Sequence, residues 1–163
     1  MNTCSIGVLL VDDFEPWRHF VTAMIREQPD LQLIGEACDG LEAIQQAQKL
    51  QPDLILLDIG LPKLHGIDAA PRIRQVAPNA RILFLSEINT LDVVEAAFSE
   101  GQGYIQKVDV GSELLPAVNA VLESKRFVSA TLTVRDSINP EDEHIAEQAR
   151  RERVVTFSPT AEC

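Results

Sequence analysis

Four short apolar runs in this 163-residue chain end on groups that can do chemistry. Ile6–Val11 is followed by Asp12-Asp13, Leu54–Leu57 by Asp58, Ile82–Leu85 by Ser86, and the Tyr104–Ile105 run closes on Lys107. If these run ends converge, three carboxylates, a hydroxyl and an amine share one site. Three carboxylates within a few ångströms repel one another unless a cation intervenes, and a hard divalent ion is the natural one. Mg²⁺ prefers octahedral oxygen coordination, keeps several waters and takes one or two carboxylates plus phosphate oxygens. A position is thus left for a phosphoryl group, which Asp58 would attack as a carboxylate nucleophile to form an aspartyl phosphate. Lys107 and the ion would neutralise the phosphoryl oxygens, and the Ser86 hydroxyl would donate to one of them. Taken singly, each residue has a plainer reading: a turn or cap for Asp12-Asp13, Asp58 and Ser86, and a solvated surface amine for Lys107. Their placement at four matching run ends favours the site.

The runs themselves explain why they should converge. Ile6–Val11, Leu31–Ala37, Leu54–Leu57, Ile82–Leu85 and Tyr104–Ile105 recur at intervals of about 25 residues, each at the head of a segment with helical spacing. A nearly continuous apolar run suits a strand buried on both faces, as in a parallel sheet covered by helices. Five such units read as (βα)5, an α/β sheet whose ligands sit beyond the carboxyl ends of its strands. The first helix starts after Asp13 with Pro16 in its opening turn, buries a stripe including Trp17, Phe20, Val21, Met24 and Ile25, and stops before Pro29. The second opens at Asp39-Gly40 with Leu41, Ile44, Ala47 and Leu50 on one face. The third lies near Ile67–Val76 and must hold Pro71 in or just beyond its first turn. The fourth runs from about Thr90 to Glu100 and the fifth from about Ser112 to Ser124.

Composition sets the bounds. With 45% apolar and 24% charged residues the chain has the make-up of a soluble globular protein with one domain and an appendage. Its net charge of −11, from 25 acidic against 14 basic residues, disfavours phosphate backbones and anionic membranes. Cys4, Cys38 and Cys163 show no metal or disulfide spacing, and the N-terminal run lacks the basic flank of a signal peptide, so a cytoplasmic location is expected. His19, His65 and His144 have no metal-binding spacing. Composition shifts after Phe127, and residues 128–163 carry 7 acidic and 4 basic side chains with one polar helical candidate, Glu143–Arg153. The domain is therefore expected to span 1–127, with 128–163 as an acidic, partly helical or disordered tail.

The segments VLLVDDFEPWR, DLILLDIGLPKLHGIDAAPRIR, ILFLS and GYIQKVDVGSEL resemble the receiver domain of two-component response regulators, nearest to the group with a LuxR-type helix-turn-helix output. The likeness covers residues 4–127. It implies a doubly wound, flavodoxin-like three-layer sandwich with strand order 2-1-3-4-5 and a short C-terminal tail. It also implies that Asp58 is the phospho-acceptor and that Asp12, Asp13, Asp58 and the backbone carbonyl of Gly60 bind Mg²⁺. Ser86 and Tyr104 would be the switch pair, Lys107 would contact the phosphoryl oxygens, and the donor would be a phosphohistidine on a sensor histidine kinase. Tyr104 and Lys107, three residues apart in a strand, would point to opposite sides of the sheet. Many receivers place a proline after the lysine, where this chain has Val108.

The resemblance does not extend to an output module, which would need roughly 60 residues with amphipathic helices and a basic stripe. Residues 128–163 offer neither, so no direct nucleic-acid binding is expected. The leading expectation is a response regulator, not an enzyme, that signals through protein contacts on the face of the fourth helix, fifth strand and fifth helix. Pairing as a homodimer is left open. One alternative is a truncated DNA-binding regulator that dimerises with relatives or titrates a kinase. Another is a small Mg²⁺-dependent phosphohydrolase working through an aspartyl phosphate. The familiar haloacid-dehalogenase motif of that second class needs an aspartate two residues after the nucleophile, where Gly60 stands, and no glycine-rich nucleotide loop is present.

Overall fold

Six short runs of apolar residues form six parallel strands that alternate with helices in the computed structural model, which describes residues 4–135. The elements are β1 (Ile6–Val11), α1 (Glu15–Arg26), β2 (Leu31–Ala37), α2 (Gly40–Leu50), β3 (Leu54–Asp58), α3 (Gly66–Val76), β4 (Arg81–Ser86), α4 (Leu91–Glu100), β5 (Gly103–Gln106), a 3-10 turn (Lys107–Asp109), α5 (Val110–Leu122), β6 (Phe127–Val128) and α6 (Ala130–Arg135). The sheet order is β2-β1-β3-β4-β5-β6, so the expected 2-1-3-4-5 order holds and a sixth strand extends it. The chain divides into two compact units inside β4, at Ile82/Leu83.

In the first unit, Val8, Leu9 and Leu10 of β1 and Leu54–Leu57 of β3 have no exposed surface. The β1–β3 register pairs Val8 with Leu54 and Val11 with Leu57, which brings the ends of both strands level. Helix α1 buries Val21, Thr22 and Ile25, while Phe20, expected on that stripe, is 46% exposed and lies against Trp17 with the rings tilted by 42°. Helix α2 buries Ala43 and Ala47 rather than Leu41, which is exposed. Small residues there let the helix approach the sheet, where Leu50 Cδ1 lies 2.4 Å from the place a side chain on Gly35 would occupy. Asp39 caps α2 by accepting the Glu42 N–H at 2.8 Å, and Glu42 in turn accepts the Cys38 N–H. Pro71 is the sixth residue of α3, beyond its first turn, so the helix loses one internal hydrogen bond.

In the second unit, β5 pairs with β4 on one side and with β6 on the other, Tyr104 lying opposite Phe84 and Val128. Helix α5 buries Leu114, Ala117, Val118 and Val121 and begins two residues earlier than its expected start, directly after the 3-10 turn. The sequence reading closes the domain at 127, but folded structure continues past it: Phe127, Val128 and Leu132 are 1%, 5% and 4% exposed. A two-residue strand is too short to announce itself by alternation, and only the free edge of β5 makes it one. The helical candidate Glu143–Arg153 lies outside the described residues.

Candidate functional site at the strand ends

The level ends of β1 and β3 place Asp12 beside Asp58, because each residue directly follows or completes the Val11–Leu57 pair. Both are buried, at 1% and 6% exposure, while Asp13 is exposed. One carboxylate oxygen from each of Asp12, Asp13 and Asp58 lies within 4.8 Å of the others. Asp12 Oδ1 accepts the Phe14 N–H at 2.9 Å, an Asx-type turn that folds the chain back into α1 and holds Asp13 at the same place. The Arg18 guanidinium donates to the Asp12 carbonyl at 2.8 Å and stands 3.6 Å from Glu36, tying the end of β1 to α1 and β2.

The β3–α3 loop fixes Asp58 from the other side. Leu61 N–H and Gly66 N–H both donate to the Ile59 carbonyl at 2.9 Å, and the Gly60 N–H reaches Asp58 Oδ1 at 3.4 Å. Gly66 packs so tightly that a Cβ there would lie 2.1 Å from the Asp58 carbonyl oxygen. Gly60, by contrast, is exposed with open space around its Cα. Lys63, in the same loop with φ of 66°, ion-pairs with Asp39 at 3.1 Å. The Glu42 N–H is the largest influence holding the Asp39 carboxyl below its ordinary value; burial opposes it, and the Lys63 amine adds to the lowering. The donor set at the cluster is all carboxylate oxygen, which suits a hard divalent cation such as Mg²⁺ and not a soft one.

Ser86, Tyr104 and Lys107 lie in the second unit. Ser86 ends β4, is 1% exposed, and accepts the Ile88 N–H on its Oγ at 3.1 Å. Tyr104 has no exposed surface, and its hydroxyl donates to the Ile88 carbonyl. The two residues nominated as a switch pair therefore hold the two polar ends of Ile88. Lys107 does not belong to β5 but opens the 3-10 turn, so strand alternation does not set its direction relative to Tyr104. Asp12, Asp13 and Asp58 are thus brought together as a cluster, Ser86 and Tyr104 as a pair. Sequence reasoning missed Arg18 and the backbone role of Ile88, since neither carries a local signal: one acts on a backbone carbonyl, the other through its own backbone.

Residues 8–119 match the family described as "Response regulator receiver domain". The chain is 33% identical over 127 residues to the nitrate/nitrite response regulator protein NarL of Escherichia coli strain K12, covering 77% of this chain and 59% of that protein. It is 32% identical over 152 residues to the uncharacterized transcriptional regulatory protein YxjL of Bacillus subtilis, covering 91% and 70%. Among solved structures it resembles a LuxR-family two-component response regulator from Aurantimonas sp. SI85-9A1, with 29% identity, a TM-score of 0.73, and 92% and 99% of the two chains covered. The response regulator domain of Thermotoga maritima CheB superposes with a TM-score of 0.67 at 31% identity, covering 73% and 97%. The chain spans 59% of NarL's length. No helix among the described residues is long and apolar enough to cross a membrane. With its strand order, its acidic cluster and a match over residues 8–119, the chain belongs to the response regulator receiver family.

Proposed function

We propose that this chain takes a phosphoryl group onto Asp58 from a phosphohistidine on a sensor histidine kinase, in the cytoplasm and with Mg²⁺ as cofactor. The observation that carries the reading is the clustering of Asp12, Asp13 and Asp58 within 4.8 Å at adjoining strand ends. Asp12, Asp13, Asp58 and the Gly60 carbonyl would hold the ion, which when bound neutralises charge on the phosphoryl oxygens. One Asp58 carboxylate oxygen attacks phosphorus, the P–N bond breaks, and its electron pair returns to the imidazole nitrogen of the donor. Lys107 stabilises the phosphoryl oxygens, and the Ser86 hydroxyl turns toward one of them. Tyr104 follows Ser86 through Ile88, the residue both of them grip. The acyl phosphate makes the protein a stoichiometric signalling element rather than a turnover enzyme, and the receiver so read takes in β6 and α6.

The test is the intact mass of the full chain after incubation with acetyl phosphate. One added phosphoryl group that requires both Mg²⁺ and Asp58, and is absent from Asp58→Asn, is the expected result. An unchanged wild-type mass would overturn the reading.

A further inference from the structure

The chain from Arg126 to Leu132 forms a strap across the elements that carry Tyr104 and Lys107. At its start, Arg126 Nη2 donates to the Phe98 carbonyl at the end of α4 at 2.7 Å, and its guanidinium carbon lies 4.5 Å from the centroid of the Phe98 ring. Next, β6 adds to the outer edge of β5, and the Ser129 N–H donates to the Tyr104 carbonyl at 3.0 Å. The strap then closes on a buried polar network. Ser129 Oγ accepts the Gln106 N–H at 2.9 Å and donates to Glu113 Oε2 at 2.7 Å, and Glu113 Oε1 accepts the Ala130 N–H at 3.1 Å. Ser129 is fully buried and Glu113 is 3% exposed. The Thr131 hydroxyl lies within hydrogen-bond reach of both the Asp109 carboxylate and Gln106 Oε1, and its single proton serves one of them at a time.

These contacts bracket Lys107. Gln106 on one side is held at its backbone N–H by Ser129 Oγ, Thr131 Oγ1 reaches the Gln106 side chain and the Asp109 carboxylate, and Ser112 Oγ donates to the Asp109 carbonyl. A turn held at one end by a buried network and at the other by half-buried contacts has few arrangements, and removing the Ser129 hydroxyl would leave the Gln106 N–H and the Glu113 carboxylate each short of a partner in a dry site. We infer that Ser129 and Thr131 are positioning residues for phosphoryl acceptance: the strap fixes the Lys107 turn in the geometry that meets the incoming phosphoryl group. The inference rests on the proposed role of Lys107.

The experiment compares full-length wild type, Ser129→Ala and Thr131→Val, with Ala47→Gly in α2 as a variant of lowered stability remote from the strap. The readouts are the rate of mass gain with acetyl phosphate and Mg²⁺, and amide hydrogen exchange over residues 105–109. The strap variants are expected to accept the phosphoryl group about tenfold more slowly, since a small misplacement of a catalytic group is that costly, and to exchange faster over 105–109, while Ala47→Gly keeps the wild-type rate. Should Ser129→Ala fail to fold, Thr131→Val, which keeps the shape and removes only the hydroxyl, decides. Faster exchange at 105–109 with an unchanged acceptance rate would overturn this inference alone. A wild type that takes no phosphoryl group would overturn the proposed function, and this inference with it.

Discussion

Replacing Gly66 by alanine tests how Asp58, the proposed acceptor, is held. A Cβ at Gly66 would sit 2.1 Å from the Asp58 carbonyl oxygen and 3.0 Å from both the Asp58 carbonyl carbon and the Ile59 Cα. Ordinary contact begins near 3.4 Å, so the two backbones must part by about 1.3 Å. All three opposing atoms are main chain, so no side chain can rotate to make room. Gly66 is also pinned by its N–H, which donates to the Ile59 carbonyl at 2.9 Å. Overpacking of this kind costs about 1–3 kcal/mol and loss of the hydrogen bond about 1 kcal/mol. Alanine's better helix propensity offsets up to about 1 kcal/mol. A net loss of about 2 kcal/mol follows, which lowers a urea midpoint by about 1 M at an m-value near 2 kcal/mol/M. A displacement of about 1 Å at Asp58 would also slow phosphoryl acceptance by up to about 100-fold. The rate is measured by intact mass at a temperature where both proteins are folded. Gly60→Ala is the control: nothing lies within 4 Å of its added methyl, so its stability should stay within about 0.5 kcal/mol of wild type. A Gly66→Ala protein with the wild-type midpoint and rate would refute the packing argument.

Two further outcomes follow from the same site. Mg²⁺ should raise the thermal midpoint by mass action, about 1.4 kcal/mol at tenfold over its Kd, and Asp12→Asn should flatten that response. An equal response in both proteins would remove Asp12 from the ion site. Asp39 has a folded pKa below its unfolded value of 3.8, so its contribution is fully present above that value and is lost as pH falls through the lower folded one. Urea midpoints at about pH 5 and pH 3 should therefore drop less in Asp39→Asn than in wild type, and equal drops would show that the cap at α2 carries no such coupling.

The parts of the fold that sequence disclosed are those fixed by local pattern. VLLV in β1 and LILL in β3 are short continuous apolar runs, which suit a strand covered on both faces. The register that sets Val11 opposite Leu57 makes the carboxyl ends of these parallel neighbours level, and Asp12 and Asp58 meet there. Helix faces were less legible. Periodicity picked Leu41, Ala47 and Phe20, yet α2 lies down on Ala47 and the unpicked Ala43 with Leu41 exposed, and Phe20 turns outward onto Trp17. Large apolar residues mark a candidate face, whereas the approach distance is set by the small ones. The strap was illegible for a different reason. Glu113 looks like any acidic residue in a first helical turn, and its partner Ser129 is 16 positions away in a segment with no pattern of its own.

Ile88 shows how the proposed switch pair, Ser86 and Tyr104, is coupled through a residue that types and spacing do not single out. Ser86 Oγ accepts its N–H and Tyr104 Oη donates to its carbonyl, so the loop between β4 and α4 is held by two side chains through one residue's backbone. On the function proposed, a Ser86 hydroxyl drawn to a phosphoryl oxygen weakens its hold on the Ile88 N–H. The loop then gains freedom at one end while Tyr104 still holds the other. A fully buried tyrosine cannot move independently of that loop, because leaving would strand its hydroxyl away from the carbonyl it serves. The two hydrogen bonds make Ser86, Ile88 and Tyr104 one element with few arrangements, which is what a phosphoryl group needs in order to shift a population rather than deform a surface.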